Sequence, residues 1–157
     1  MNNLNITQII EKVTTKYGKE RKALIPVLHA IVKEKRYLND EDIIEVAKYF
    51  NLSSAEVYGV ASFYSFLDLE PRGKYVIRVC KTISCKLNDS DNIIKAIKNF
   101  LNIELGQTTN DGLFTLLTTN CLGWCHKGPA MLINENVYTE LTPNKAIEIL
   151  KEYINKK

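Results

Sequence analysis

Apolar residues recur at helical spacing along the N-terminal part of the chain, between short polar connections. A first run extends from Ile6 to Tyr17 and stops at Gly18, a residue type that often ends helices. A second run covers residues 23–34, where Pro26 is tolerated only in the first turn because proline lacks an amide hydrogen. These two runs predict two helices.

Two further helices are indicated by residues that can cap them. Asn39 can cap a third helix, because its side chain can accept a hydrogen bond from a free backbone amide. The apolar face of this helix is predicted to comprise Ile43, Ile44, Ala47 and Phe50. Ser53 and Glu56 have the spacing of a capping box and open a fourth helix. The sequence thus predicts an N-terminal helical unit over residues 1–72.

The hydrophobic pattern changes after residues 71–73, which contain proline and glycine. Residues 74–80 are rich in β-branched and aromatic side chains and predict a strand. A helix follows, capped by Asp89 or Ser90. Its apolar positions are Ile93, Ile94, Ile97, Phe100 and Leu101.

Residues 110–112 predict a turn, and residues 113–119 predict the next strand. A hairpin is predicted from residues 130–133 and 137–141, whose apolar runs are separated by a short polar segment.

A last helix begins where Thr142 precedes Pro143, because proline is well tolerated at the first helical position. The side chains of this helix predicted to face the core are Ala146, Ile147, Leu150 and Ile154. The order of strand, helix, three strands and helix predicts an α/β domain over residues 73–157.

Composition limits the kinds of protein that the chain can be. It has 157 residues, 45% of them hydrophobic, which is enough to form a core without disulfides. The net charge is +3 and the two signs are interspersed, which gives no indication of nucleic-acid binding. No run is long enough to span a membrane, and residues 1–8 lack the pattern of a signal peptide. We therefore expect a cytoplasmic protein without membrane insertion.

The four cysteines form two close pairs, Cys80 with Cys85 and Cys121 with Cys125. Each pair lies just past the end of a predicted strand, so two loops at one edge of a sheet can bring four thiolates to one site. Thiols stay reduced in the cytoplasm, where paired cysteines are more often metal ligands or redox groups than structural disulfides.

Three kinds of site fit four cysteines at this spacing. A zinc-binding structural module uses four thiolates in a tetrahedron, usually from tighter C-x2-C pairs. A thiol–disulfide enzyme needs a reactive pair, most often C-x-x-C at the start of a helix. A 2Fe-2S cluster accepts varied spacing, because two irons spread the ligands over a larger object. The spacing favours the cluster and leaves the two alternatives open.

The context of the second pair is more specific. Residues 121–129 read C-L-G-W-C-H-K-G-P, and Asp111 and the pair Phe114-Thr115 precede them. This pattern resembles the signature of the thioredoxin-like 2Fe-2S ferredoxins, the family of the small iron–sulfur subunit of NADH dehydrogenase (respiratory complex I). Residues 24–31 and 56–64 resemble the N-terminal helical segment of that family, so the likeness extends over nearly the whole chain.

The resemblance implies a thioredoxin-like α/β domain behind the helical unit, and one 2Fe-2S cluster. Carried over by position, it places Cys80 and Cys85 on one iron and Cys121 and Cys125 on the other. It also implies a one-electron carrier docked on a flavin- and NADH-binding subunit, with further iron–sulfur or hydrogenase subunits. The chain has neither a glycine-rich dinucleotide loop nor a P-loop, which agrees with FMN and NAD binding to a partner.

Residues 63–75 and 80–85 resemble most the small subunits of NAD-linked, multimeric hydrogenases and formate dehydrogenases of anaerobes. We therefore expect a complex of the electron-bifurcating hydrogenase type, with the complex I subunit as the alternative.

Several side chains beside the ligands bear on the properties of the site. Trp124 can shield the cluster from water or pack against a partner. His126 is not expected to be a ligand, because a Rieske centre needs two histidines on one iron. The cations that flank the cysteines, which can raise the reduction potential or act as ordinary surface charges, are Arg78, Lys81, Lys86 and Lys127.

Overall fold

The computed structural model describes residues 5–156. It divides the chain into two compact units, Met1–Pro71 and Arg72–Lys157. Residues 1–4 and residue 157 lie outside the described residues. Two predictions fall partly outside the described residues. These are the outer ends of the two domains, and the first four residues of segment 1–8, which was predicted not to be a signal peptide.

The first unit consists of four α-helices. These are α1 (Ile6–Tyr17), α2 (Leu24–Lys35), α3 (Asp40–Phe50) and α4 (Ser54–Phe63), with a 3-10 turn at Arg21–Ala23 before α2. All four helices predicted from the sequence are confirmed.

The helix ends follow from the residues that cap them. The amide of Gly18 donates to the carbonyl of Thr14 at the end of α1. The side chain of Asn39 accepts a hydrogen bond of 2.8 Å from the amide of Asp42 at the start of α3. Ser53 and Glu56 form the predicted capping box of α4.

The core of the first unit lies between these helices. On α3, the buried face differs from the predicted one. Ile44 was expected to point inward on α3, but it is 43% exposed, whereas Val46 is fully buried. A helix turns by about 100° per residue, so Val46 shares its side with Ile43 and Ala47, and Ile44 does not. The buried apolar residues of this unit include Ile9, Ile10, Leu24, Val27, Leu28, Ile31, Leu38, Ile43, Val46, Ala47, Val57, Ala61 and Leu67.

The second unit is built on a four-stranded sheet. Its elements are β1 (Tyr75–Cys80), α5 (Ile83–Leu87), α6 (Ser90–Leu101), β2 (Phe114–Thr119), β3 (Met131–Ile133), β4 (Asn136–Tyr138) and α7 (Pro143–Asn155). The strand order is β2-β1-β3-β4. β1 runs parallel to β2 and antiparallel to β3, and β3 and β4 form the predicted hairpin. The α/β class predicted for this part of the chain is confirmed.

The helices of this unit pack on the sheet and on each other. α6 packs against α7 and against β1. On α7 the predicted inward position Ile154 is 39% exposed, and the neighbouring Tyr153 is buried instead. The hydroxyl of Tyr153 lies 2.8 Å from that of Tyr138, so the buried ring keeps a polar partner. No helix among residues 5–156 is both long enough and apolar enough to cross a membrane.

Candidate metal centre

The first cysteine pair lies at the end of β1 and in the short helix that follows. Cys80 is the last residue of β1, and Cys85 lies inside α5. Each is 1% exposed. The sequence placed Cys85 in a loop, and this prediction was wrong. A helix of a single turn shows too little periodicity to be recognised from the pattern of apolar residues.

Hydrogen bonds give the two thiols of this pair different acidities. Burial raises the pKa of Cys80, but several hydrogen bonds together, chiefly from the side chain and the backbone of Thr82, leave this pKa below its ordinary value. Burial, followed by the hydrogen bond with Cys80, raises the pKa of Cys85. Cys80 is therefore the thiol of this pair that becomes a thiolate, the form that binds metals, more readily.

The second pair follows β2 and is exposed. Cys121 and Cys125 have their sulfurs 3.2 Å apart. Gly123 adopts a φ of 84°, which favours glycine, and its amide lies 3.4 Å from the sulfur of Cys121. This backbone hydrogen bond lowers the pKa of Cys121, whereas the hydrogen bond with Cys121 raises the pKa of Cys125. The turn between the cysteines thus brings both sulfurs together and provides a donor for one of them.

The parallel pairing of β1 and β2 brings the two pairs to the same edge of the sheet. Cys80 pairs with Thr119, which precedes Cys121 by two residues. The amide of Lys81 donates a hydrogen bond of 3.0 Å to the carbonyl oxygen of Thr119, at the ends of both strands. A Cβ atom on Gly128 would lie 3.5 Å from Cys85 Sγ and 3.7 Å from the carbonyl oxygen of Cys125, so residue 128 adjoins both pairs. The two predicted pairs therefore lie close together at this edge of the sheet.

Two hydroxyl residues at this edge were not singled out from the sequence. Thr82 Oγ1 lies 3.2 Å from Cys80 Sγ, and the side chain of Ser84 acts to lower the pKa of Cys125. The signal available in the sequence was that both residues lie between Cys80 and Cys85. Which sulfur each hydroxyl reaches depends on α5, which the sequence did not predict.

The side chains around the cysteines differ in their exposure. Trp124 is 39% exposed and stacks on His126, with ring centroids 5.8 Å apart and an interplanar angle of 27°. Arg78 is buried in β1, so it is not a surface charge. Lys86 is exposed and lies 3.6 Å from the carboxylate of Asp91. Trp124 is therefore accessible to a partner surface.

The donors at this site are suited to a centre with two metal atoms. The four cysteine sulfurs are grouped as two pairs, and a 2Fe-2S cluster takes two thiolates on each iron. The hydroxyl and amide groups already directed at sulfur are the donors that such a cluster uses as outer partners.

Comparison with known proteins identifies the family. Residues 10–154 match the family described as thioredoxin-like 2Fe-2S ferredoxin. A component of the NADH-quinone oxidoreductase of Escherichia coli (strain K12) is 40% identical over 146 residues, which cover 93% of this chain and 88% of that protein. The corresponding component from Buchnera aphidicola subsp. Acyrthosiphon pisum is 37% identical over 139 residues, 88% of this chain and 86% of that protein.

A solved structure supports the same fold. The crystal structure of an NAD+-reducing NiFe-hydrogenase in the H2-reduced state aligns with a TM-score of 0.74 at 22% sequence identity. The alignment covers 85% of this chain, which spans 22% of the length of that hydrogenase chain. At this identity the likeness concerns the fold alone.

The fold and the site define an iron–sulfur protein of the electron-transfer class. The chain belongs to the thioredoxin-like 2Fe-2S ferredoxin family. This confirms the family resemblance and the 2Fe-2S cofactor predicted from the sequence. It also confirms the thioredoxin-like α/β fold, which follows the N-terminal helices in the chain.

Proposed function

We propose that this chain is the 2Fe-2S electron-transfer subunit of a multisubunit, NADH-linked oxidoreductase. Cys80 and Cys85 bind one iron and Cys121 and Cys125 bind the other. The chain exchanges single electrons with a partner subunit that carries FMN and binds NADH. The observation that supports this most is the meeting of both cysteine pairs at one edge of the sheet, in a member of this family.

The residues of the site have distinct parts in this proposal. The cluster, when bound, supplies one-electron redox chemistry. Cys80 and Cys85 are buried and keep water from one side of it, whereas Cys121 and Cys125 are exposed and bring the other side to the surface. Exposure of one side is what a carrier needs, because its electron must pass to and from another protein.

Metal analysis and single substitutions test the ligands. Full-length chain purified anaerobically is expected to contain iron and acid-labile sulfide in equal amounts, and to give an electron paramagnetic resonance (EPR) signal only when reduced. Replacing any one of the four cysteines with serine should lower the iron content or change the spectrum. His126→Gln is the matched control, because it alters a neighbour of Cys125 that is not a proposed ligand, and it should change neither.

Three results would contradict the ligand assignment. A chain that contains zinc and no sulfide would be a zinc-binding structural module. A metal-free chain that reacts with dithiol reagents would point to thiol chemistry. Normal clusters in all four serine variants would show that other residues hold the irons.

Assays of the purified chain without its partner test where FMN and NADH bind. The purified chain alone should neither oxidise NADH nor reduce NAD+, because FMN and the NADH site are proposed to lie on another subunit. Addition of that flavin subunit should allow NADH to reduce the cluster. Reduction of NAD+ by the isolated chain would refute this part of the proposal.

For the kind of complex, we propose first the electron-bifurcating hydrogenase type, on the strength of residues 63–75 and 80–85. The second candidate is an NADH-quinone oxidoreductase, because the relatives that are 40% and 37% identical carry that name. Affinity purification of the intact complex decides between them: hydrogenase subunits support the first candidate, and quinone-reducing subunits support the second.

The proposal also includes a cytoplasmic location and two separate domains, residues 1–72 and 73–157. The division of the structure near Pro71 favours a boundary at this point. Limited proteolysis of the chain should therefore cut between α4 and β1 before it cuts inside either unit. Early cleavage within α2 or β1 instead would contradict the boundary.

A further inference from the structure

Thr82 directs its hydroxyl at a cysteine rather than at the helix that it precedes. It occupies the N-cap position of α5 but makes no side-chain cap hydrogen bond. A threonine at this position ordinarily accepts a hydrogen bond from an amide of the first helical turn. Here its Oγ1 lies 3.2 Å from Cys80 Sγ instead. The hydroxyl is therefore used at the metal centre.

The direction of this hydrogen bond follows from the chemistry of the ligand. A cysteine that binds a metal is a thiolate and has no proton, so the hydroxyl of Thr82 must donate. Cys80 is 1% exposed, so water does not compete for its sulfur. Hydrogen bonds to a charged acceptor are stronger than neutral ones, and more so away from water.

The hydroxyl of Thr82 has a single proton, so it donates one hydrogen bond. The distance to Cys80 Sγ makes that sulfur the acceptor.

We infer that Thr82 is a positioning residue whose hydroxyl raises the reduction potential of the centre held by the four cysteines. The inference rests on the ligands proposed above. Reduction adds one electron and breaks no bond, so it increases the negative charge shared by the sulfurs. A hydroxyl that donates to sulfur stabilises this added charge, and its removal favours the oxidised state.

Two substitutions separate the hydroxyl from the rest of the side chain. Thr82→Val keeps the branched shape and removes the hydroxyl, whereas Thr82→Ser keeps the hydroxyl and removes the methyl group. Each full-length variant is purified anaerobically and titrated with dithionite in the presence of redox mediators. The EPR signal at each potential gives the ratio of reduced to oxidised protein.

At the midpoint potential of the wild type, the ratio of reduced to oxidised Thr82→Val should fall by about threefold or more. This equals a shift of about 28 mV, at about 59 mV per tenfold change for one electron. Thr82→Ser should stay within about twofold of the wild type. A smaller fall in Thr82→Val, or an equal fall in both variants, overturns the inference.

A second measurement detects the hydrogen bond itself. Electron–nuclear double resonance of the reduced protein, compared between H2O and D2O, should show one exchangeable proton that is present in the wild type and Thr82→Ser and lost in Thr82→Val. Retention of every exchangeable proton in Thr82→Val would also overturn the inference. If Thr82→Val does not assemble the centre, Thr82→Ala provides the same comparison.

Iron and sulfide analysis distinguishes the two ways to fail. A wild-type chain without iron and sulfide rejects the proposed function. Variants that contain iron and sulfide but have an unchanged reduction potential reject only the role of Thr82.

Discussion

Replacement of Gly73 with alanine is expected to destabilise the unit that carries the metal centre. A Cβ atom on Gly73 would lie 2.9 Å from the carbonyl carbon of Phe114, 3.0 Å from its nitrogen and 3.0 Å from the carbonyl oxygen of Gly112. All three are backbone atoms in the first residue of β2 or in the turn before it. Unlike the end of a flexible side chain, they cannot rotate away, so the chain before β1 must move away from β2.

The magnitude follows from the overlap and from one hydrogen bond. Insertion of an extra carbon into a packed region typically costs about 1–3 kcal/mol. The amide of Gly73 also donates a hydrogen bond of 2.7 Å to Thr115 Oγ1, which the displacement would stretch. Loss of a hydrogen bond of this kind costs about 0.5–1.5 kcal/mol. We expect the free energy of unfolding to fall by about 1.5–4.5 kcal/mol in total.

Urea unfolding of the full-length chain measures this effect. Trp124 is the only tryptophan and lies in the second unit, so its fluorescence follows that unit. Gly59→Ala is the matched control, because a Cβ there has no neighbour within 4 Å and Gly59 lies inside α4. It should stabilise α4 by about 0.5–1 kcal/mol and leave the Trp124 transition unchanged. A Gly73→Ala transition within about 0.5 kcal/mol of the wild type would refute the reasoning, since overpacking costs more.

Three further outcomes are expected. Leu150→Ala should lower the free energy of unfolding in urea by about 2–5 kcal/mol, because Leu150 is fully buried on α7; a loss below about 1 kcal/mol would contradict this packing. The backbone hydrogen bond with Ser53 lowers the pKa of Glu56, so the ionised Glu56 side chain stabilises the fold above pH 4.5 and loses this effect as the pH falls. The difference in free energy of unfolding between wild type and Glu56→Gln should therefore shrink at low pH. A difference that does not change with pH would argue against the capping box. Burial, followed by the hydrogen bond with Tyr153, raises the pKa of Tyr138, so the free energy of unfolding should fall as the pH rises above 10. The fall should be less steep in Tyr138→Phe. An equal dependence on pH in both proteins would contradict this.

The elements that the sequence predicted best were those with a local cause. Gly18, Asn39, Ser53 and the Thr142-Pro143 step mark helix ends through interactions within a few residues, and the structure has helix boundaries at each. The faces of helices were predicted less well. Ile44 is as apolar as Ile43, and only the position of neighbouring helices makes one buried and the other exposed.

The sequence indicated the residues of the candidate site and their position past two strands, but not the short helix or the strand register. The four cysteines and the motif around Cys121 were visible because they depend on residue type and spacing. Helix α5 was missed because it has one turn, and with it the contact between Thr82 and Cys80. The parallel pairing of β1 with β2 joins segments far apart in the chain, and no local pattern specifies the register.

This parallel pairing has a consequence for protein synthesis. Cys80 leaves the ribosome well before Cys121, and the two come together only when β2 has been made and has joined β1. Such non-local pairing forms slowly, and an incomplete chain presents Cys80 and Cys85 before Cys121 and Cys125 have been made. A cell that loads iron and sulfide after the chain has been completed avoids filling a half-formed site. For a cluster held by the four proposed ligands, this order of strands means that the ligand set is complete only after β2 has been made.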